Sequence, residues 1–140
     1  MLQGLSQPSI ALIGPIAPPA GGMAMQTEQL KNLLLSENIS VEVFATNAPY
    51  SPSFIKNIKG LRAVFRLCYY CVNLWKLCKT TKVLHIMANS GWSWHLFAVP
   101  AIVIGKVRKC KVIINYRGGG AKKFLSISSL IVTICNKRSI

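Results

Sequence analysis

Four short runs, SIALI (9–13), ISVEVFA (39–45), VLHIM (83–87) and VIINY (112–116), recur along the chain, and each is rich in apolar and β-branched residues. Runs of this length and composition predict strands, and those with little polar interruption predict strands buried on both faces. Between the runs the apolar residues return to helical spacing. Met23, Leu30, Leu33 and Leu34 mark a helix over 23–35, a basic amphipathic helix follows over 59–79, and an apolar one, bent at Pro100, over 92–107. The order βαβαβαβ predicts a Rossmann-like α/β fold, a parallel sheet with helices on both faces. A length of 140 residues holds one such core.

Charge narrows the chemistry. Seventeen Lys and Arg face three carboxylates, Glu28, Glu37 and Glu42, and there is no Asp. Paired-carboxylate hydrolysis and Mg or Ca cages need several acids in one place, so both are excluded. Five Cys are present, and Cys68, Cys71 and Cys78 share one helical segment. With only one close pair they do not match the paired spacing of a zinc site, so no metal is expected; they read as free thiols on a helix face in a reducing compartment. Gln3, Gln7 and Pro8 interrupt the N-terminus where a signal peptide would be apolar, which predicts a cytoplasmic chain. The apolar window 92–107 falls short of a membrane span and holds His95 and Pro100, which predicts a buried helix.

In an open parallel sheet, ligands bind beyond the carboxyl ends of the strands, so the loops there are the candidate sites. GPIAPPAGG (14–22) places Gly21 and Gly22 at a helix start, where backbone N–H groups favour anions. It is neither a dinucleotide fingerprint nor a P-loop. ANSGWSWH (88–95) gathers Asn89, Trp92, Trp94 and His95, a polar cluster with two flat apolar faces suited to a sugar ring or a lipid. Ser90 is placed there to cap the next helix. NYRGGGAKK (115–123) ends a strand with Arg117, Gly118 and Gly119, donors suited to phosphate or carboxylate. His85, inside a strand run, reads as a satisfied core histidine.

The strings GPIAPPAGGMAMQTEQL, TNAPY, NSGWSWHLFAVPA and INYRGGGAKKFL together resemble the N-terminal domain of family 4 glycosyltransferases of the GT-B type, over about Ile10 to Leu125. The resemblance implies a partial GT-B N-terminal domain over 1–125 and sets apart 126–140 as an atypical tail of the kind a truncation or frameshift leaves. It aligns Gly21 and Gly22 with the glycine loop that faces the donor diphosphate. Arg117, followed by Gly118, stands where many relatives carry a His near the reacting sugar, which implies an anion-orienting role in catalysis. The implied partners of the full-length form are a nucleotide-sugar donor and a sugar or lipid-linked acceptor, with no further cofactor. The donor-binding half and its Glu-containing motif are missing from the chain, which implies inactivity alone.

Two rival readings use the same residues. One is a self-contained phosphate-binding α/β module. The other is a basic peripheral module, with Lys56, Lys59, Arg62, Arg66, Lys76 and Lys79 drawing it to an anionic membrane surface. Aromatic residues interleaved with cations are few beyond Tyr69, Tyr70 and Trp75, so no specific nucleic-acid surface is expected.

Overall fold

The computed structural model of the protein describes residues 10–18, 21–47, 60–89 and 91–116. The tail 126–140 lies outside them, as do Arg117, Gly118, Gly119, Ser90, Lys56 and Lys59. In chain order the elements are β1 (Ile10–Gly14), α1 (Gly22–Ser36), β2 (Val41–Ala45), α2 (Leu61–Leu77), β3 (Val83–Ala88), a π-helical turn (Trp94–Ala98), α3 (Val99–Val107) and β4 (Lys111–Tyr116). The strands form one sheet in the order β2-β1-β3-β4, and every neighbouring pair is parallel. This is the α/β Rossmann-like architecture expected from the alternation of runs.

Register sorts the side chains into two layers. Ala11 pairs with Leu84 and Ile13 with Ile86, while Leu84 and Ile86 pair in turn with Val112 and Ile114, so all six share one face. On that face they join a buried cluster with Tyr70, Leu74 and Leu77 of α2, Trp94 of the π turn and Ala101 and Ile102 of α3. Each fully buried aliphatic side chain contributes roughly 2 kcal/mol relative to exposure. The buried residues of α2 recur every three or four positions, which is why the segment is helical and which side of it turns inward. On the opposite face α1 packs its buried Ala24 and Thr27 over β1 and β2. Gly14 permits that approach, because a Cβ there would lie 2.8 Å from Thr27 Oγ1. Gly105 does the same for α3, where a Cβ would meet Leu84 Cδ1 at 2.6 Å and Val112 Cγ2 at 2.8 Å.

Three local expectations change. The helix over 92–107 is not a single bent α-helix, since its first part winds as a π turn in which the Val99 N–H bonds to Trp94 O, five residues back. Pro100 has no N–H for the carbonyl of Leu96 and its ring crowds that oxygen, so the wider turn forms just before it. The cysteines do not share one buried face. Cys78 is buried against Cys110, whose thiol donates to Thr81 O at 3.3 Å, whereas Cys68 is exposed, and all four described cysteines are free. Burial first, then the neighbouring Cys110, pushes the Cys78 thiol up to about 12.

His85 is the third. It sits on the α1 side of the sheet, in register with Leu12 and Ile113, and its buried Nε2 has no hydrogen-bond partner. Burial lowers its pKa below the ordinary value of 6.5. Below pH ~6.5 the unfolded chain binds a proton that the folded chain refuses, so stability falls with falling pH until the folded pKa is reached. His85→Leu should abolish this acid-side slope, as read by urea unfolding at several pH values between about 7 and 5. An unchanged slope in the variant would assign the effect to another group.

Candidate functional site

Parallel pairing puts the carboxyl ends of all four strands at one edge of the sheet. From β1 the chain moves to β2 on one side, then crosses back to β3 on the other, so β1 and β3 flank a topological switch point where their loops part. A cleft of about 140 Å³ opens there. Its walls come from Ile13 and Pro15 at the end of β1, Met23 in the first turn of α1, Thr46 after β2, Met87 to Asn89 at the end of β3, and Ser93, Phe97 and Ala98 of the following helical segment.

Two polar clamps hold these loops in place. The Asn47 side chain pairs like a strand with the backbone of the β1–α1 loop, accepting from the Ile16 N–H at 2.8 Å and donating to Ile16 O at 2.6 Å and Pro18 O at 3.4 Å. Arg66 of α2 donates to Thr46 O at 2.6 Å and lies 5.2 Å over the Phe97 ring. A guanidinium therefore joins two cleft-lining residues, one after β2 and one after β3. Beneath them, the Tyr70 ring stands 5.5 Å from Phe44 and 5.4 Å from Phe97, and its hydroxyl donates to Phe97 O at 2.9 Å. Burial, with smaller contributions from Cys71 and Cys78, raises the Tyr70 phenol far above its ordinary value, so it stays a neutral donor.

The residues expected from sequence are distributed unequally. Gly21 caps α1 with extended backbone and Gly22 opens the helix, directly before the cleft-lining Met23; no side chain caps this end and its first turn holds no acid. An added Cβ at either glycine would meet nothing within 4 Å, so neither internal packing nor backbone conformation requires glycine there. Asn89 lines the cleft. Trp94 does not offer a platform: it is 0% exposed and packs edge-on against Tyr116 at 6.0 Å, because the π turn directs it into the core. Trp92 is 81% exposed and His95 is also exposed, but neither lines the cleft, and its aromatic wall is Phe97. β4 ends at this same edge with Tyr116, paired with Ala88, and Arg117, Gly118 and Gly119 lie outside the described residues.

Sequence reasoning missed Thr46, Asn47, Arg66 and Phe97 as parts of the site. Arg66, which the charge pattern puts among the cations that draw the helix to an anionic membrane surface, turns inward instead to Thr46 and Phe97. Among the described residues the cleft walls carry no carboxylate. A guanidinium beside the cleft and the uncapped N-terminus of α1 both make its potential positive. Comparison of the chain with protein-family models, with curated proteins and with solved structures finds no match in any of the three.

Asn47→Ala removes the clamp without opening a buried cavity. We expect an unfolding free energy lower by about 1 kcal/mol and hydrogen exchange at the Ile16 amide faster by roughly tenfold. Unchanged exchange at Ile16 would show that the loop holds itself.

Proposed function

We propose that this chain is the N-terminal lobe of a GT-B type, family 4 glycosyltransferase, and that the switch-point cleft receives the diphosphate of a nucleotide-sugar donor and one edge of the acceptor. The observation that carries the reading is the conjunction at one sheet edge of an uncapped helix N-terminus, the Arg66 guanidinium and a cleft wall free of carboxylates among the described residues. Backbone N–H groups aimed at an anion stabilise the charge that builds on a departing diphosphate, and they do so without a metal. In this reading Gly21 and Gly22 leave room for the phosphates, Asn89 bonds a sugar hydroxyl, and Trp92 and His95, exposed outside the cleft lining, are left to meet a more distant part of the acceptor. Arg117 with Gly118 and Gly119, following β4, orients the same anion. The burial of Trp94 gives it a packing role instead.

Size supports a half-site. A cleft of about 140 Å³ admits a phosphate pair or one sugar ring, while whole-ligand pockets for small molecules span roughly 300–1,000 Å³. The nucleoside must then be held by a second lobe. The competing reading, a self-contained phosphate-binding module, is less well supported: β4 is an edge strand among the described residues, and its Ile113, on the α1 side of the sheet but beyond the two strands that α1 covers, is 48% exposed. The free thiols of the described cysteines suit a reducing cytoplasm, the location this reading assigns.

A thermal-shift titration with inorganic pyrophosphate and an assay against a panel of nucleotide sugars test the proposal together. The 140-residue chain should be stabilised by pyrophosphate and turn over no donor, because a transition state shared between two lobes is not stabilised by one. Gly22→Val should weaken the pyrophosphate response about tenfold while leaving the melting temperature without ligand nearly unchanged, since its side chain enters open space. Turnover above a heat-killed control would overturn the half-site reading, and an undiminished response in Gly22→Val would overturn the placement of the phosphates.

A further inference from the structure

The outward face of α2 has no use in the cleft and is oddly built for solvent. Phe65, Tyr69, Val72, Lys76 and Lys79 follow one another at spacings of four, three, four and three residues, so they form a single stripe along the outside of the helix and its C-terminal turn. The first three are 50%, 65% and 54% exposed. Val64 and Trp75 widen the apolar half, and Arg108 reaches from the end of α3 to lie 5.2 Å over the Trp75 ring. The inner residues of α2, Tyr70, Leu74 and Leu77, are already buried in the core. The helix is thus apolar on both sides, and its outward stripe ends in the two exposed cations Lys76 and Lys79.

We propose that this face docks on an anionic lipid bilayer, α2 lying in the plane of the headgroups with Phe65, Tyr69 and Val72 inserted and Lys76 and Lys79 among the phosphates. Charge complementarity selects this occupant. The chain carries a formal net charge of +14, and none of its three carboxylates lies on α2. A second copy would bring the same excess of positive charge and no acid to meet these lysines, so self-association through this face is opposed. Duplex nucleic acid would satisfy the lysines but leave three large apolar side chains in water. A headgroup layer satisfies both halves at once, since acyl chains lie directly beneath the phosphates. No helix among the described residues is long and apolar enough to cross a membrane. Arg66 belongs to the same helix but is held inward by Thr46 and Phe97 and takes no part.

Sedimentation of the full chain with sucrose-loaded vesicles tests this, using phosphatidylcholine alone and phosphatidylcholine mixed with phosphatidylglycerol. Binding to the mixed vesicles, weakened by salt and much weaker with phosphatidylcholine alone, is the expected result. Lys76→Gln and Lys79→Gln should each lower the partition coefficient about fivefold. Phe65→Ser combined with Tyr69→Ser should lower it on the order of tenfold, with the circular-dichroism melt unchanged because both side chains face out. Tyr69→Ser alone, at the most exposed apolar position of the stripe, serves if the double variant does not fold. Equal binding to neutral and anionic vesicles, or serine variants that bind like the parent chain, would overturn the proposal. So would binding to a DNA duplex with none to either vesicle. The outcome is independent of pyrophosphate binding, since none of the residues substituted here lines the cleft and Arg66, the one α2 residue beside it, is left in place.

Discussion

The pairing of β1 with two parallel neighbours, β2 on one side and β3 on the other, is the constraint from which the rest of the molecule follows. Parallel neighbours need crossovers, so β1, β2 and β3 are each followed by a helical connection, and every loop that enters such a connection emerges at the same edge. Because the chain reverses its lateral direction after β2, the loops after β1 and β3 diverge and leave a cleft between them. Loops separated by about seventy residues in sequence become neighbours with no contact of their own being required.

What gives the cleft a fixed shape is a second layer of interactions beneath it. Phe44, Tyr70 and Phe97 pack in tilted and edge-to-face contacts across β2, α2 and the π turn, and the Tyr70 hydroxyl and Arg66 guanidinium fasten that cluster to the backbone at Phe97 and Thr46. The π turn is part of this arrangement. Pro100 forces the wider winding upstream, and the same winding sends Trp94 inward and presents Ser93 and Phe97 to the cleft. A single missing N–H thereby decides which aromatic residue lines the site.

The strands and helices were legible because their signals are local: runs such as VIINY and the three-four recurrence of apolar residues in α2 survive without knowledge of partners. The edge at which the site lies was legible for the same reason, since parallel order follows from alternation. The roles of Asn47, Arg66 and the two tryptophans were not. Asn47 acts on Ile16, thirty-one positions away, and Arg66 on Thr46, twenty away, and neither distance leaves a trace in residue type. Trp92 and Trp94 are two residues apart in a segment that mixes winding geometries, so their opposite fates depend on a helical phase that spacing alone does not set. His85 looked like an ordinary core residue because its chain neighbours are apolar; its lack of a partner is a property of the layer around it.

The cleft and the outer face of α2 use the excess of positive charge in different ways, one by turning Arg66 inward to backbone and ring, the other by leaving Lys76 and Lys79 in solvent beside exposed apolar side chains. The central claim is that anions are bound at the switch point. An amide NMR titration with inorganic pyrophosphate tests it most directly, because it reports the position of the ligand residue by residue. Shifts concentrated at Gly21 to Ala24, Thr46, Asn47 and Asn89 are the predicted result. Shifts confined to the opposite edge, at Lys79 to Lys82 and Arg108 to Lys111, would contradict it.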